Sequence, residues 1–110
     1  MLNKLKLNRD FRRAYSKGAS YLGAGVVMYV FTTRVPKKRF GITVSKKLGS
    51  AVKRNRAKRL ITAAYRECMP HIKGGCDIVF VARSAIFSMK SYNVAEEIKK
   101  QLIKAEMWED

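Results

Sequence analysis

Acidic residues are scarce in this chain: 8 Asp and Glu stand against 24 Lys and Arg, a net charge of +16 over 110 residues. The scarcity is local. Residues 1–66 hold 18 cations and a single acid, Asp10, whereas residues 67–110 hold 6 cations and 7 acids. Solubility needs no such split. One electropositive face produces it, and such a face fits a polyanionic partner rather than a small-molecule substrate. Cysteine is nearly missing as well. Cys68 and Cys76 are too few for a disulfide framework and read as packing residues. The opening segment MLNKLKLNRDFRRAY has no signal-like apolar stretch, and no run approaches the ~20 apolar residues of a membrane span. A reducing, cytoplasmic setting without a membrane partner is the expectation.

Groups for catalysis are equally thin. His71 is the only histidine, and Cys68 and Cys76 are not at zinc-finger spacing, so a satisfied histidine near a helix end is expected. Glu96 and Glu97 are adjacent and point apart, and Asp77 begins a strand; no carboxylate pair or Ser/His/Asp set assembles. No catalytic residue and no metal ligand is predicted. Trp108 is expected to cap a hydrophobic contact.

What is present organises as one α+β domain over residues 1–110. The 47% hydrophobic share and this length suffice for a core that buries roughly 65% of the unfolded surface. Asn8 is predicted to cap a helix of about two turns running to Lys17 and ended by Gly18. Val26 to Thr33 (VVMYVFTT) reads as a strand, RVPKK as a turn and Phe40 to Ser45 as a returning strand, which predicts a hairpin. Ser50 opens a long helix to about Met69, stopped by Pro70. Asp77 to Ala82 (DIVFVA) is almost continuously apolar, the pattern of a strand covered on both faces. Asn93 and Glu96 have capping-box spacing and start a last helix to about Met107. The order is α-β-β-α-β-α, with helices packed on a small sheet.

The segment 45–66 carries the most information. It holds Lys46, Lys47, Lys53, Arg54, Arg56, Lys58, Arg59 and Arg66, and no acid. On a helical wheel counted from Val52, Ala57, Leu60, Ile61, Ala64, Tyr65 and Cys68 fall within about 80–220°. Arg54, Arg56, Lys58, Arg59 and Arg66 fall on the remaining arc, with Asn55 in its middle. One face can bury while the other presents a fixed array of cations. Like charges four apart oppose each other by a few tenths of a kcal/mol per pair, and a polyanion relieves them. Arginine suits phosphate through its two-pronged donor fork, lysine as a point charge. A merely solvated basic face is the plainer alternative. Membrane-surface binding fits poorly, because the apolar arc is Ala-rich and lacks Trp and Phe.

The stretch GITVSKKLGSAVKRNRAKRLITAAYRE resembles the signature of the bacterial ribonuclease P protein component. Arg54-Asn55-Arg56 is followed by Lys58-Arg59-Leu60, as in that family. DFRRAY with the Gly18 stop, Tyr29 in the first long strand, DIVFVAR and a terminal amphipathic helix agree with it. Thr62 departs from the pattern, since many members carry a further Arg there. The resemblance implies a left-handed β-α-β crossover, against the usual hand. It implies a protein that binds a catalytic RNA and the 5′ leader of precursor tRNA. In that scheme the RNA holds the magnesium ions and removes the leader hydrolytically, and the protein alone is inactive. Lys46, Lys47, Lys53, Arg54, Asn55, Arg56, Lys58, Arg59 and Arg66 would face the catalytic RNA. Phe11, Tyr15 and Tyr29, with Lys58 at the edge, would line a leader cleft. No obligate protein partner is implied.

Aromatic platforms flanked by cations suit single-stranded RNA, at about 1–3 kcal/mol per stacked base. By periodicity alone, Phe11 and Tyr15 read first as core residues, and Tyr29 shares a strand face with Val27 and Phe31. A structural RNA-binding protein such as a ribosomal protein is the main rival. A helix-based DNA binder lacks a recognition-helix pair and a dimer seam.

Overall fold

An apolar central strand organises the molecule, which the computed structural model describes over residues 2–110. In chain order the elements are β1 (Asn3–Lys4), α1 (Asn8–Lys17), β2 (Ala19–Tyr21), β3 (Val26–Thr33), β4 (Lys38–Thr43), α2 (Ala51–Cys68), β5 (Gly75–Ala82) and α3 (Ser91–Lys104). The sheet order is β1-β4-β5-β3-β2. β5 runs antiparallel to β3 and parallel to β4, with Phe40 and Val30 on either side of Ile78. The α+β class and the order of the three helices and three long strands agree with the sequence reading. The short strands β1 and β2 add one edge strand on each side.

The expected hairpin is not formed. β3 and β4 are joined by a short turn, yet β5 lies between them and pairs with both. The reason is burial. Cys76, Ile78, Val79 and Phe80 of β5 are fully buried, so this strand needs neighbours on both edges and cover on both faces. A turn motif fixes only the chain reversal, not which strand fills the gap. Gly75 permits the arrangement, because a Cβ there would collide with the Val35 carbonyl of the turn.

Side chains alternate between the two faces of the sheet. One face carries Val26, Met28, Val30, Phe40, Ile78 and Phe80 against α2 and α3. The other carries Val79, with Tyr29, Phe31 and Val81 packed around it, against Leu5, Phe11 and Ala14. Both faces of β5 are therefore covered, as its composition predicts.

The ends of two helices differ from expectation. Asn8 is the first residue of α1 rather than its cap; Leu7 occupies the cap position, without a side-chain bond, and its carbonyl accepts from the Asp10 and Phe11 amides. Asn93 lies inside α3, which starts at Ser91. Its Oδ1 accepts from the Lys90 amide at 2.9 Å, so it closes the first turn from within. α3 ends at Lys104. Glu106 takes φ 59°, and the Glu106 and Met107 amides donate to the Ile103 and Leu102 carbonyls, a Schellman-type stop. Beyond it Trp108 stacks on His71 at 4.4 Å, and His71 Nδ1 meets the Glu109 carbonyl at 2.9 Å. The histidine is satisfied by local partners, and Trp108 pins the C-terminal segment.

Candidate nucleic-acid interface

α2 divides as its periodicity requires. Ser50 caps it, accepting from the Lys53 amide. Ala57, Ile61, Ala64, Tyr65 and Cys68 are buried, while Leu60 is only half-buried. Tyr65 anchors the buried side, stacked on Phe40 at 4.4 Å and edge-on to Phe80 at 5.7 Å. Burial raises its phenol well above the ordinary value and lifts the Cys68 and Cys76 thiols to about 11. Both cysteines are free, buried thiols that fill space.

The opposite side of α2 exposes Lys53, Asn55, Arg56, Lys58, Arg59 and Arg66, with Arg54 half-buried. Lys46 and Lys47 are exposed on the short 3-10 turn (Lys46–Leu48) that leads into the helix. Two members of the array are held by the protein itself. Arg54 Nε donates to the Gly49 carbonyl at 3.3 Å, and Lys53 Nζ sits 5.7 Å from the centre of the Phe87 ring. Among the described residues, every ion pair lies elsewhere, between Arg13 or Arg39 and Asp10 or Asp77. The α2 cations thus form a surface whose charge no ion pair neutralises among the described residues, and the one acid of α2, Glu67, is exposed at its C-terminal end. Thr62, where the resemblance expects a cation, is half-buried.

A second feature lies on the α1 face of the sheet. Tyr15 meets Tyr29 edge to face at 5.0 Å and 86°, and its hydroxyl lies 2.7 Å from Thr43 Oγ1. Phe11 lies over Gly41, where any Cβ would strike its ring. Phe11 and Tyr29 are half-buried, and Tyr15 is 38% exposed. The three rings therefore pack against the small core around Val79 and still present surface to solvent. Each ring is thus partly a packing residue and partly open to solvent. Lys58 does not join them. It stands on α2, which packs on the opposite face, and no cation–π contact links it to these rings among the described residues.

Sequence reasoning missed the ionic cluster beside this aromatic set. Asp77 of β5 accepts from Arg39 Nε at 2.9 Å and Nη2 at 2.8 Å, and from Arg13 Nη2 at 2.9 Å. Asp10 lies 3.5 Å from Arg13 and 3.6 Å from Arg39. Both carboxylates are buried. The hydrogen bond and charge of Asp77, followed by the charge of Asp10, hold the Arg39 guanidinium above its ordinary pKa against the opposing effect of burial. Two signals were available: Asp10 is the lone acid in the first 66 residues, and Asp77 is the one charged group between Cys76 and Ala82.

Magnesium finds no fitting donor set on the basic face. Hard cations want several oxygen ligands, yet α2 offers the Asn55 amide and the lone carboxylate of Glu67, both carboxylates of the α1 face are engaged by guanidinium groups, and no group of three or more His, Cys, Asp or Glu side chains stands together among the described residues.

This chain and its fold have counterparts among known proteins. The family model described as Ribonuclease P matches residues 2–106. The ribonuclease P protein component of Caldanaerobacter subterraneus subsp. tengcongensis is 38% identical over 109 residues, spanning 99% of this chain and 94% of the relative. That of Clostridium acetobutylicum is 39% identical over 105 residues, spanning 94% and 88%. The solved structure of the Staphylococcus aureus RNase P protein superposes with a TM-score of 0.84 at 33% identity, over 98% of this chain and 99% of the other. The Thermotoga maritima protein superposes with a TM-score of 0.81 at 29% identity, over 93% and 96%.

Proposed function

Because this chain belongs to the ribonuclease P protein family, we propose that it binds ribonuclease P RNA through the cations of α2 and receives the 5′ leader of precursor tRNA on the α1 face. The observation that carries the reading is the cationic side of α2, none of whose cations is paired with a carboxylate among the described residues. Arg54, Asn55, Arg56, Arg59 and Arg66, extended by Lys46, Lys47, Lys53 and Lys58, contact the RNA subunit. Guanidinium forks take phosphate oxygens in pairs, ammonium groups add unspecific attraction, and Asn55 can donate to and accept from a base or sugar edge. Arg54 and Lys53, already held by Gly49 and Phe87, lose less side-chain freedom on binding than unrestrained cations would.

The leader lies against Phe11, Tyr15 and Tyr29. A single strand offers base faces to rings without demanding a particular sequence. Lys58, on the far side of the sheet, serves the RNA subunit, not the leader. The reaction is hydrolytic removal of the leader to give the mature tRNA 5′ end. Magnesium, bound mainly by RNA, supplies that chemistry; the protein binds and orients, and is inactive alone. The site of action is the cytoplasm, in keeping with a chain in which no helix among the described residues is long and apolar enough to cross a membrane.

Reconstitution tests the reading. At limiting magnesium, adding the protein to ribonuclease P RNA should raise cleavage of precursor tRNA and favour precursor over mature tRNA in binding. Equal cleavage with and without protein would defeat it.

A further inference from the structure

The ionic cluster has a mechanical consequence for the aromatic face. Arg39, Asp77 and Phe31 lie in one row across β4, β5 and β3, and Thr43, Val81 and Val27 in another, four residues along each strand. At about 3.3 Å per residue the rows are roughly 13 Å apart. α1, with 10 residues, is about 15 Å long. One short helix therefore spans both rows. At the first, Arg13 reaches from α1 to Asp77 at 2.9 Å, with its guanidinium 4.6 Å from the centre of the Phe31 ring. Asp10 adds a second carboxylate from α1 to the same guanidinium pair. At the second, Tyr15 meets Thr43 Oγ1. A helix this short has little stability by itself, so its seat on the sheet is decided by such anchors and by the contact of Phe11 with Gly41.

We propose that Arg13, Asp77 and Arg39 are positioning residues for the leader: they seat α1 on the sheet and so set the Tyr15–Tyr29 ring pair on which leader bases stack. The inference rests on the leader reading above. The cluster holds two positive and two negative groups, so it is close to neutral and adds little attraction for RNA. Arg39 directs Nε and Nη2 to Asp77 and Arg13 directs Nη2 there, so their contribution is geometric. The rival role for Arg13, which is 40% exposed at its side chain and borders a groove with Arg34 and Lys37, is direct phosphate contact.

The test uses Arg13→Gln, Arg13→Lys and Asp77→Asn. In free protein, the Tyr15–Tyr29 ring contact is read by NMR. In the reconstituted holoenzyme, affinities for leader-bearing and leaderless tRNA are compared across salt concentrations. In Arg13→Gln the ring contact should weaken, and the preference for leader-bearing RNA should fall about three- to tenfold, a fraction of one stacked base. The salt slope should stay unchanged. Asp77→Asn, which keeps the side-chain size, should reproduce the effect, and Arg13→Lys should fail to restore it, since a compact ammonium lacks the planar group that reaches Asp77 while covering the Phe31 ring. The proposal is overturned if a folded Arg13→Gln or Asp77→Asn keeps both the ring contact and the leader preference. It is also overturned if Arg13→Gln lowers the salt slope while the ring contact stands and Arg13→Lys restores binding. Absence of leader preference in the unmodified holoenzyme would defeat the leader reading instead, and the ring contact in free protein would still report whether the cluster seats α1.

Discussion

The hydroxyl of Tyr15 lies 2.7 Å from Oγ1 of Thr43, 28 residues away at the end of β4. This bond fixes the edge-to-face contact of Tyr15 with Tyr29 and leaves the remaining surface of the ring open. The same side chain can then serve as a packed residue and as a platform.

Thr43→Val keeps the shape of that partner and removes its hydroxyl. A bond of this exposed kind contributes about 0.5–1.5 kcal/mol, so urea unfolding should show a loss no larger than that. The expected functional effect is a weaker preference for leader-bearing RNA in equilibrium binding, with affinity for the RNA subunit unchanged.

Arg56→Ala and Arg59→Ala remove cations from the exposed side of α2, where neither touches the core. Each should lower affinity for ribonuclease P RNA and flatten the salt dependence by about 0.7–0.9 for every phosphate that the side chain neutralises. Thermal unfolding of the free protein should be nearly unchanged or slightly raised, because each change relieves like-charge repulsion along the helix. Binding isotherms at several salt concentrations that gave slopes parallel to the parent's for both variants would remove phosphate contact from these side chains.

Tyr65 hides a phenol oxygen with no hydrogen-bond partner among the described residues, between Phe40 and Phe80. Leaving a buried polar atom unpaired costs about 1–3 kcal/mol. Tyr65→Phe keeps the ring and deletes that oxygen, so chemical denaturation should show stability equal to or above that of the parent. A clear loss would mean that the hydroxyl has a bound water as partner.

Cys68 and Cys76 are lifted by burial from an ordinary 9.0 to about 11. A raised thiol value favours the protonated form in the fold. The stability it contributes is whole below about pH 9 and is lost as pH rises through about 11. Denaturation midpoints should therefore fall between pH 9 and 11, and the buried Tyr65 phenol, raised in the same direction, adds to the fall. Near neutral pH, a thiol reagent should react slowly with folded protein and rapidly once denaturant is added.

Several features were legible because they depend on near neighbours. The capping of α2 by Ser50, its split into an apolar and a cationic side, and the double burial of β5 each follow from a few adjacent residues. The helix caps at Leu7 and Lys90 were misplaced by one and three residues, because Asn serves a first turn equally well from the cap or from inside it. The roles of Phe11, Tyr15 and Tyr29 stayed open between core and platform, since ring spacing says which residues share a face and not how far that face is covered.

The sequence by itself determined the chain's charge asymmetry, the identity of its three helices and three long strands and the cationic side of α2, all set by composition and by periods of two and 3.6 residues. Only the tertiary structure decided that β5 separates β3 from β4, and that Asp10 and Asp77 take Arg13 and Arg39 out of the free cation pool. Arg13 and Asp77 are 64 residues apart, and Arg39 and Asp77 are 38 apart. No local preference encodes such pairings. They arise because an apolar strand must be buried on both sides, and the acid it carries into the interior must find positive partners there.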